Sequence, residues 1–166
     1  MNRKIRDLTQ AALIAALYMA LTYAQNFLLP ESTTMAIQYR VSEALCVLAL
    51  FTPNAIWGLT VGCFLFNISN VGALPLDPIV GPLASGLAAL GMWYSRKITI
   101  KGFPLPALLM PAISNGILVG WELALIIGGG FWFNSACVAI GELAVLFTLG
   151  CVLFYVLKVH KNRLFS

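Results

Sequence analysis

Six apolar stretches, at 8–29, 41–52, 55–69, 78–94, 103–127 and 134–157, follow one another with only short polar breaks between them. Backbone N–H and C=O groups cannot go unpaired in hydrocarbon, so stretches of this kind close their hydrogen bonds internally, as helices. A spanning helix takes about 20 apolar residues. A chain of 166 residues therefore holds at most six or so spans and leaves almost nothing for a soluble domain. Composition agrees: 60% of the residues are hydrophobic and 10% charged, against roughly 25% charged in an average soluble domain. The expected architecture is an all-α integral membrane protein, a single domain over residues 1–166 with six transmembrane helices. The basic start Met1-Asn2-Arg3-Lys4-Ile5-Arg6 has the polarity of a signal peptide. The apolar run at 11–29 is longer than the usual core of about 7 to 15 residues, so we read it as a retained helix.

Charge sets the orientation. Nine of the ten basic residues fall in three clusters, Arg3/Lys4/Arg6, Arg96/Lys97/Lys101 and Lys158/Lys161/Arg163. Six spans bring all three clusters to one side, which the positive-inside rule assigns to the cytoplasm, together with both termini. The net charge of +4 is then a matter of topology, and nothing in it calls for a nucleic-acid partner. The weak element is the second stretch, whose 12 residues rise only about 18 Å as an α-helix against a hydrocarbon core of about 30 Å. It either begins before Arg40 or is bent or re-entrant. Thr52-Pro53 reads as a helix start, with proline at the first helical position.

Several chemistries are disfavoured. The cysteines Cys46, Cys63, Cys137 and Cys151 lie inside apolar segments without C-x-x-C spacing, which gives zinc and redox chemistry little support. His160, in the basic tail, is the only histidine, so no histidine nucleophile, metal site or proton relay is available within the membrane. No H-E-x-x-H, G-x-S-x-G or G-x-x-x-x-G-K-[ST] occurs. The expectation is a protein that is no enzyme and holds no metal.

The remaining charges are then conspicuous. Arg40 and Glu43 stand three residues apart, on one face of a helix, where an unneeded ionised group costs roughly 2.5 to 3.5 kcal/mol on insertion scales. Arg40 is the tenth basic residue and lies at the outer end of the second span. Every acidic residue except Asp7 also falls in the outer half: Glu31, Glu43, Asp77, Glu122 and, deeper, Glu142. Asn70, Asn115, Trp121, Trp132 and Asn134 share that level. One arginine cannot neutralise Glu43, Glu122 and Glu142 together, and the surplus negative charge points to a cationic or donor-rich ligand in an outward-facing polar pocket. Asp77-Pro78 and Asn134 also read as ordinary helix starts. Trp132, after Gly128-Gly129-Gly130-Phe131, is equally a stacking residue or a member of the interfacial belt. Asn67-Ile68-Ser69 matches a glycosylation sequon, but within a span.

Small residues form stripes. Ala12, Ala16, Ala20 and Ala24 recur at four-residue intervals on the first helix, a pattern that admits another helix closely, either within the bundle or from a second protein. The peripheral position of a first helix favours docking. Gly58/Gly62 and Ala112/Gly116/Gly120 repeat the spacing and are assigned to internal packing.

The segment from Gln38 to Leu45, followed by Phe51-Thr52-Pro53, resembles the signature of the QueT family. These are small integral membrane proteins regarded as substrate-binding S components of energy-coupling factor (ECF) transporters for queuosine precursors. The likeness extends along nearly the whole chain, through Leu76-Asp77 with Gly81 and Leu83-Ala84, Asn115 with Val119-Gly120 and Glu122-Leu123, and Gly141-Glu142. It departs at Pro82, where serine is usual.

The resemblance implies a six-helix S component, multi-pass in a bacterial cell membrane, that binds a 7-deazaguanine near the outer face and delivers it inward. It also implies partners: a transmembrane coupling protein met through Ala12, Ala16, Ala20 and Ala24, and two ATPases that use the ATP, the chain itself holding no cofactor. Carried onto this pocket, Arg40 and Glu43 form one wall, Asp77, Asn115, Asn70 and Asn134 are polar ligands, Glu122 is a second carboxylate and Trp132 a stacking or lid residue. Glu142 lies deeper, as a ligand or a structural group. The rival readings are an S component for another vitamin and an autonomous proton-coupled carrier.

Overall fold

A computed structural model describes residues 2–29 and 39–164. Glu31 and Gln38 lie outside the described residues. Among those described, the chain is helical throughout: α1 (Arg3–Leu28), a 3₁₀ segment (Val41–Leu50), α2 (Asn54–Ser69), α3 (Asp77–Ser95), α4 (Leu105–Ile126), α5 (Phe131–Val145), and α6 (Cys151–Leu164). A π-turn over Leu146–Gly150 joins α5 to α6, so that Phe131–His160 forms one apolar run of 30 residues. This run, α1 and α4 have the length and hydropathy to cross a membrane.

The 3₁₀ segment is the centre of the bundle. Ser42, Glu43, Ala44, Leu45, Cys46, Val47 and Ala49 are buried, and the segment packs against every α-helix as well as the π-turn. The helix does not begin before Arg40, whose backbone is extended at φ −96° and ψ 100°. It gains length by stretching instead. At about 2.0 Å per residue a 3₁₀ helix carries these 10 residues over about 20 Å, where an α-helix would cover about 15 Å. Its period of three also stacks side chains three apart in a single line, which sets Glu43 directly beside Cys46.

Close approach around this centre is made by glycine. On α2, a Cβ at Gly58 would stand 2.7 Å from Ile14 Cβ, and one at Gly62 would stand 2.9 Å from the Ala15 carbonyl oxygen. The α1–α2 interface is therefore a backbone-to-backbone contact. Gly120 on α4 meets Ser135 of α5 in the same way, at 2.6 Å from its Cα. The internal role expected of both glycine pairs is what the packing shows.

Helix starts follow the expected signals with small displacements. Thr52 Oγ1 accepts from Asn54 N at 3.3 Å, and α2 runs from the residue after Pro53. Helix α3 opens at Asp77-Pro78 and carries Pro82 in its interior. Helix α5 begins at Phe131, three residues ahead of Asn134.

Candidate functional site

Helix α1 turns one polar stripe inward. Tyr18, Thr22 and Gln25, spaced by four and three residues, are buried on the face that meets the 3₁₀ segment. Thr22 Oγ1 donates to Ser42 Oγ at 2.8 Å. Gln25 brackets the chain entering that segment, donating to the Tyr39 carbonyl and accepting from Val41 N at 2.7 Å. Tyr18 Oη donates to Glu43 Oε1 at 2.7 Å. The same oxygen accepts from Ser85 Oγ of α3 at 3.0 Å, and Glu43 Oε2 accepts from Cys46 Sγ at 3.2 Å. Three elements thus converge on one carboxylate.

Arg40 is the hub of the charges around it. Its side chain is buried at 6% exposure and lies within electrostatic reach of Tyr18, Asp77, Glu43, Glu122 and Glu142. It is not a donor to Glu43, and its Nε is buried without a hydrogen-bond partner among the described residues. Asp77 is anchored at the start of α3: its Oδ2 accepts from Leu74 N at 2.7 Å, and its carbonyl accepts from Asn67 Nδ2 at 3.0 Å. Glu122 projects from α4 toward Asp77 and Arg40. It is fully buried, beside the Asp77 carboxyl, and neither of its oxygens has a donor among the described residues. Glu142 Oε1 accepts from Asn115 Nδ2 at 2.7 Å, while its Oε2 is unpartnered, as is Asn67 Oδ1. A buried polar atom left without a partner costs about 1–3 kcal/mol, more when charged, so this group of open atoms marks a place where hydrogen bonds are still to be made.

The structure brings together six of the residues singled out from sequence, Arg40, Glu43, Asp77, Asn115, Glu122 and Glu142. Three others stand apart. Asn70 caps α2 and accepts from Gly72 N at 3.3 Å. Asn134 is buried, but its amide donates to the Gly128 carbonyl at 2.7 Å and so closes the loop of Gly128, Gly129 and Gly130, all with positive φ. Trp132 is 82% exposed and packs edge-on against Phe131, ring centres 4.9 Å apart.

Sequence reasoning missed Tyr18, Ser85 and Asn67. For Tyr18 a signal was present, since Tyr18, Thr22 and Gln25 form a polar stripe along an apolar helix. Asn67 belongs to the sequon set aside for lying within an expected span; it sits in the last turn of α2, its amide donating to the Asp77 carbonyl and to Cys63 Sγ at 3.4 Å. The alanine stripe occupies a different face of α1 from Tyr18: Ala12, Ala16, Ala20 and Ala24 are all exposed.

Chemically, the arrangement is an acceptor-rich cluster of buried side chains around one guanidinium, enclosed by apolar helices. No curated protein and no solved structure matches the chain. A family model described as QueT transporter matches residues 8–159, nearly the whole length. The chain belongs to the QueT transporter family, and is a membrane transport protein rather than an enzyme.

Proposed function

We propose that the protein is the substrate-binding S component of an ECF importer, and that its buried polar centre takes up a queuosine precursor of the 7-deazaguanine class. The observation that carries this reading is the set of open hydrogen-bonding atoms on Glu122, Glu142, Asn67 and Arg40, in the middle of a transport protein. Four of these atoms, from the two carboxylates and Asn67, are acceptors and one is a donor. A guanine-like edge offers adjacent N–H and amino donors beside a carbonyl, which suits that set. An aminomethyl substituent adds a cation, for which a further carboxylate is the natural partner.

In this reading α1, the 3₁₀ segment, α2, α3, α4 and the continuous α5–α6 run are six passages across a bacterial membrane. The three basic clusters and both termini then face the cytoplasm. The exposed stripe of Ala12, Ala16, Ala20 and Ala24 is the surface for a transmembrane coupling protein. Two partner ATPases consume the ATP, and the chain has no cofactor of its own.

Calorimetry of the detergent-solubilised protein tests the reading. Queuine and the 7-cyano and 7-aminomethyl deazaguanines should bind well above a guanine control. Binding of thiamine, riboflavin or biotin in their place would move the protein to another vitamin.

A further inference from the structure

Of the four carboxylates around Arg40, Glu43 accepts three hydrogen bonds from protein donors and Glu122 accepts none among the described residues. Glu43 accepts from Tyr18 and Ser85 on one oxygen and from Cys46 on the other, donors that belong to α1, α3 and the 3₁₀ segment itself. A ligand N–H reaching Glu43 would have to displace one of these bonds. Glu122 has both oxygens buried with no donor on them among the described residues; the group beside it is another carboxyl, that of Asp77, so a ligand N–H would displace no hydroxyl, thiol or N–H donor.

We infer that Glu122 is the carboxylate that grips the ligand, its two oxygens accepting two adjacent N–H groups of a planar amidine-type edge, while Glu43 is a positioning residue that fixes the 3₁₀ segment and hence Arg40. This rests on the reading of the buried centre as the substrate pocket. The remaining open atoms complete the fit. Arg40 Nε supplies a donor for a ligand carbonyl, and Glu142 Oε2 and Asn67 Oδ1 supply acceptors for further N–H groups. A carboxylate facing two parallel N–H donors makes a bidentate contact, which fixes orientation as well as binding. The bland competitor is a carboxyl pair in which Glu122 carries a proton and shares it with the neighbouring Asp77. Glu122→Gln separates the two, because a glutamine can donate to Asp77 but has only one acceptor oxygen and so cannot receive two parallel N–H groups on two oxygens.

The test is calorimetry on the purified full chain with two probes, 7-aminomethyl-7-deazaguanine and the matched base lacking its 2-amino group. Wild type should prefer the amino-bearing base at least tenfold. Glu122→Gln should lose that preference and bind the amino-bearing base at least tenfold more weakly. Glu122→Asp, which keeps the charge, should weaken binding of the amino-bearing base yet retain the preference, and it decides the matter should the glutamine variant not fold. Glu43→Gln should lower the thermal midpoint and keep the preference. Wild-type affinity and preference in Glu122→Gln, loss of the preference in Glu122→Asp, or loss of the preference in Glu43→Gln would each overturn the assignment while leaving the substrate reading intact. A wild-type protein that bound neither probe would overturn both.

Discussion

Tyr18 Oη donates a 2.7 Å hydrogen bond to Glu43 Oε1, joining the middle of α1 to the 3₁₀ segment across 25 positions of sequence. Both side chains are among the most deeply buried in the protein. The bond belongs to a ladder, with Thr22 on Ser42 one turn above and Gln25 on the backbone at Tyr39 and Val41 above that. A 3₁₀ run of 10 residues is unusually long, since such runs seldom exceed three or four residues. The ladder, together with burial on all sides, is what holds it.

Tyr18→Phe removes one donor and keeps the ring. Hydrogen bonds to charged groups contribute about 1.5–3 kcal/mol, and Ser85 still donates to the same oxygen, so the loss belongs at the lower end, about 1.5 kcal/mol. Thermal unfolding in detergent should show a lower midpoint. An unchanged midpoint would mean that Glu43 does not depend on Tyr18.

Gly62→Ala should be far worse than its size suggests. The added Cβ would stand 2.9 Å from both the Ala15 carbonyl oxygen and Tyr18 Cβ, and backbone cannot move aside as a flexible side chain can. Overpacking of this kind costs about 1–3 kcal/mol. Because the strain falls on the turn of α1 that carries Tyr18, ligand affinity should fall along with stability. A variant melting like wild type, with wild-type affinity, would refute the close α1–α2 approach.

Much of this organisation was legible in the sequence, for identifiable reasons. Apolar length marked the helices, Asp77-Pro78 and Thr52-Pro53 marked two starts, and spacing by four marked Gly58 and Gly62. The anomalous cost of Arg40 and Glu43 located the centre. The second apolar stretch resisted, because the choice between α and 3₁₀ hydrogen bonding is made by the surrounding helices rather than by local propensity. The partners of Glu43 also resisted. Cys46 was three residues away, but Tyr18 and Ser85 lie 25 and 42 positions off, and ordinary residue types at such separations leave no local pattern. Trp132 and Asn134 shared a level with the site in sequence, and the fold spends one on the surface and the other on a glycine loop.

Asn115 and Glu142 should behave as a coupled pair. The Asn115 amide is the partner of Glu142 Oε1, so removing it leaves that buried oxygen open beside the already unpartnered Oε2. Asn115→Ala, Glu142→Ala and the double variant form a thermodynamic cycle, whose coupling energy should fall at about 0.5–3 kcal/mol. Additive effects on unfolding would show that the two residues act independently.

The two faces of α1 allow docking to be separated from folding. Ala16 and Ala20 are exposed, whereas Ala15 and Tyr18 beside them are buried against α2. Leucine at 16 and 20 adds apolar bulk to an exposed surface, so stability should change by no more than about 0.5 kcal/mol. A partner helix that uses the small residues for close approach would be pushed away. Cells carrying the double variant should lose uptake, and the purified variant should no longer bring down the coupling protein, while calorimetry returns wild-type ligand affinity. Loss of ligand binding together with uptake would place the damage in the ladder from Tyr18 to Glu43. Retention of uptake would mean that the partner docks on another face.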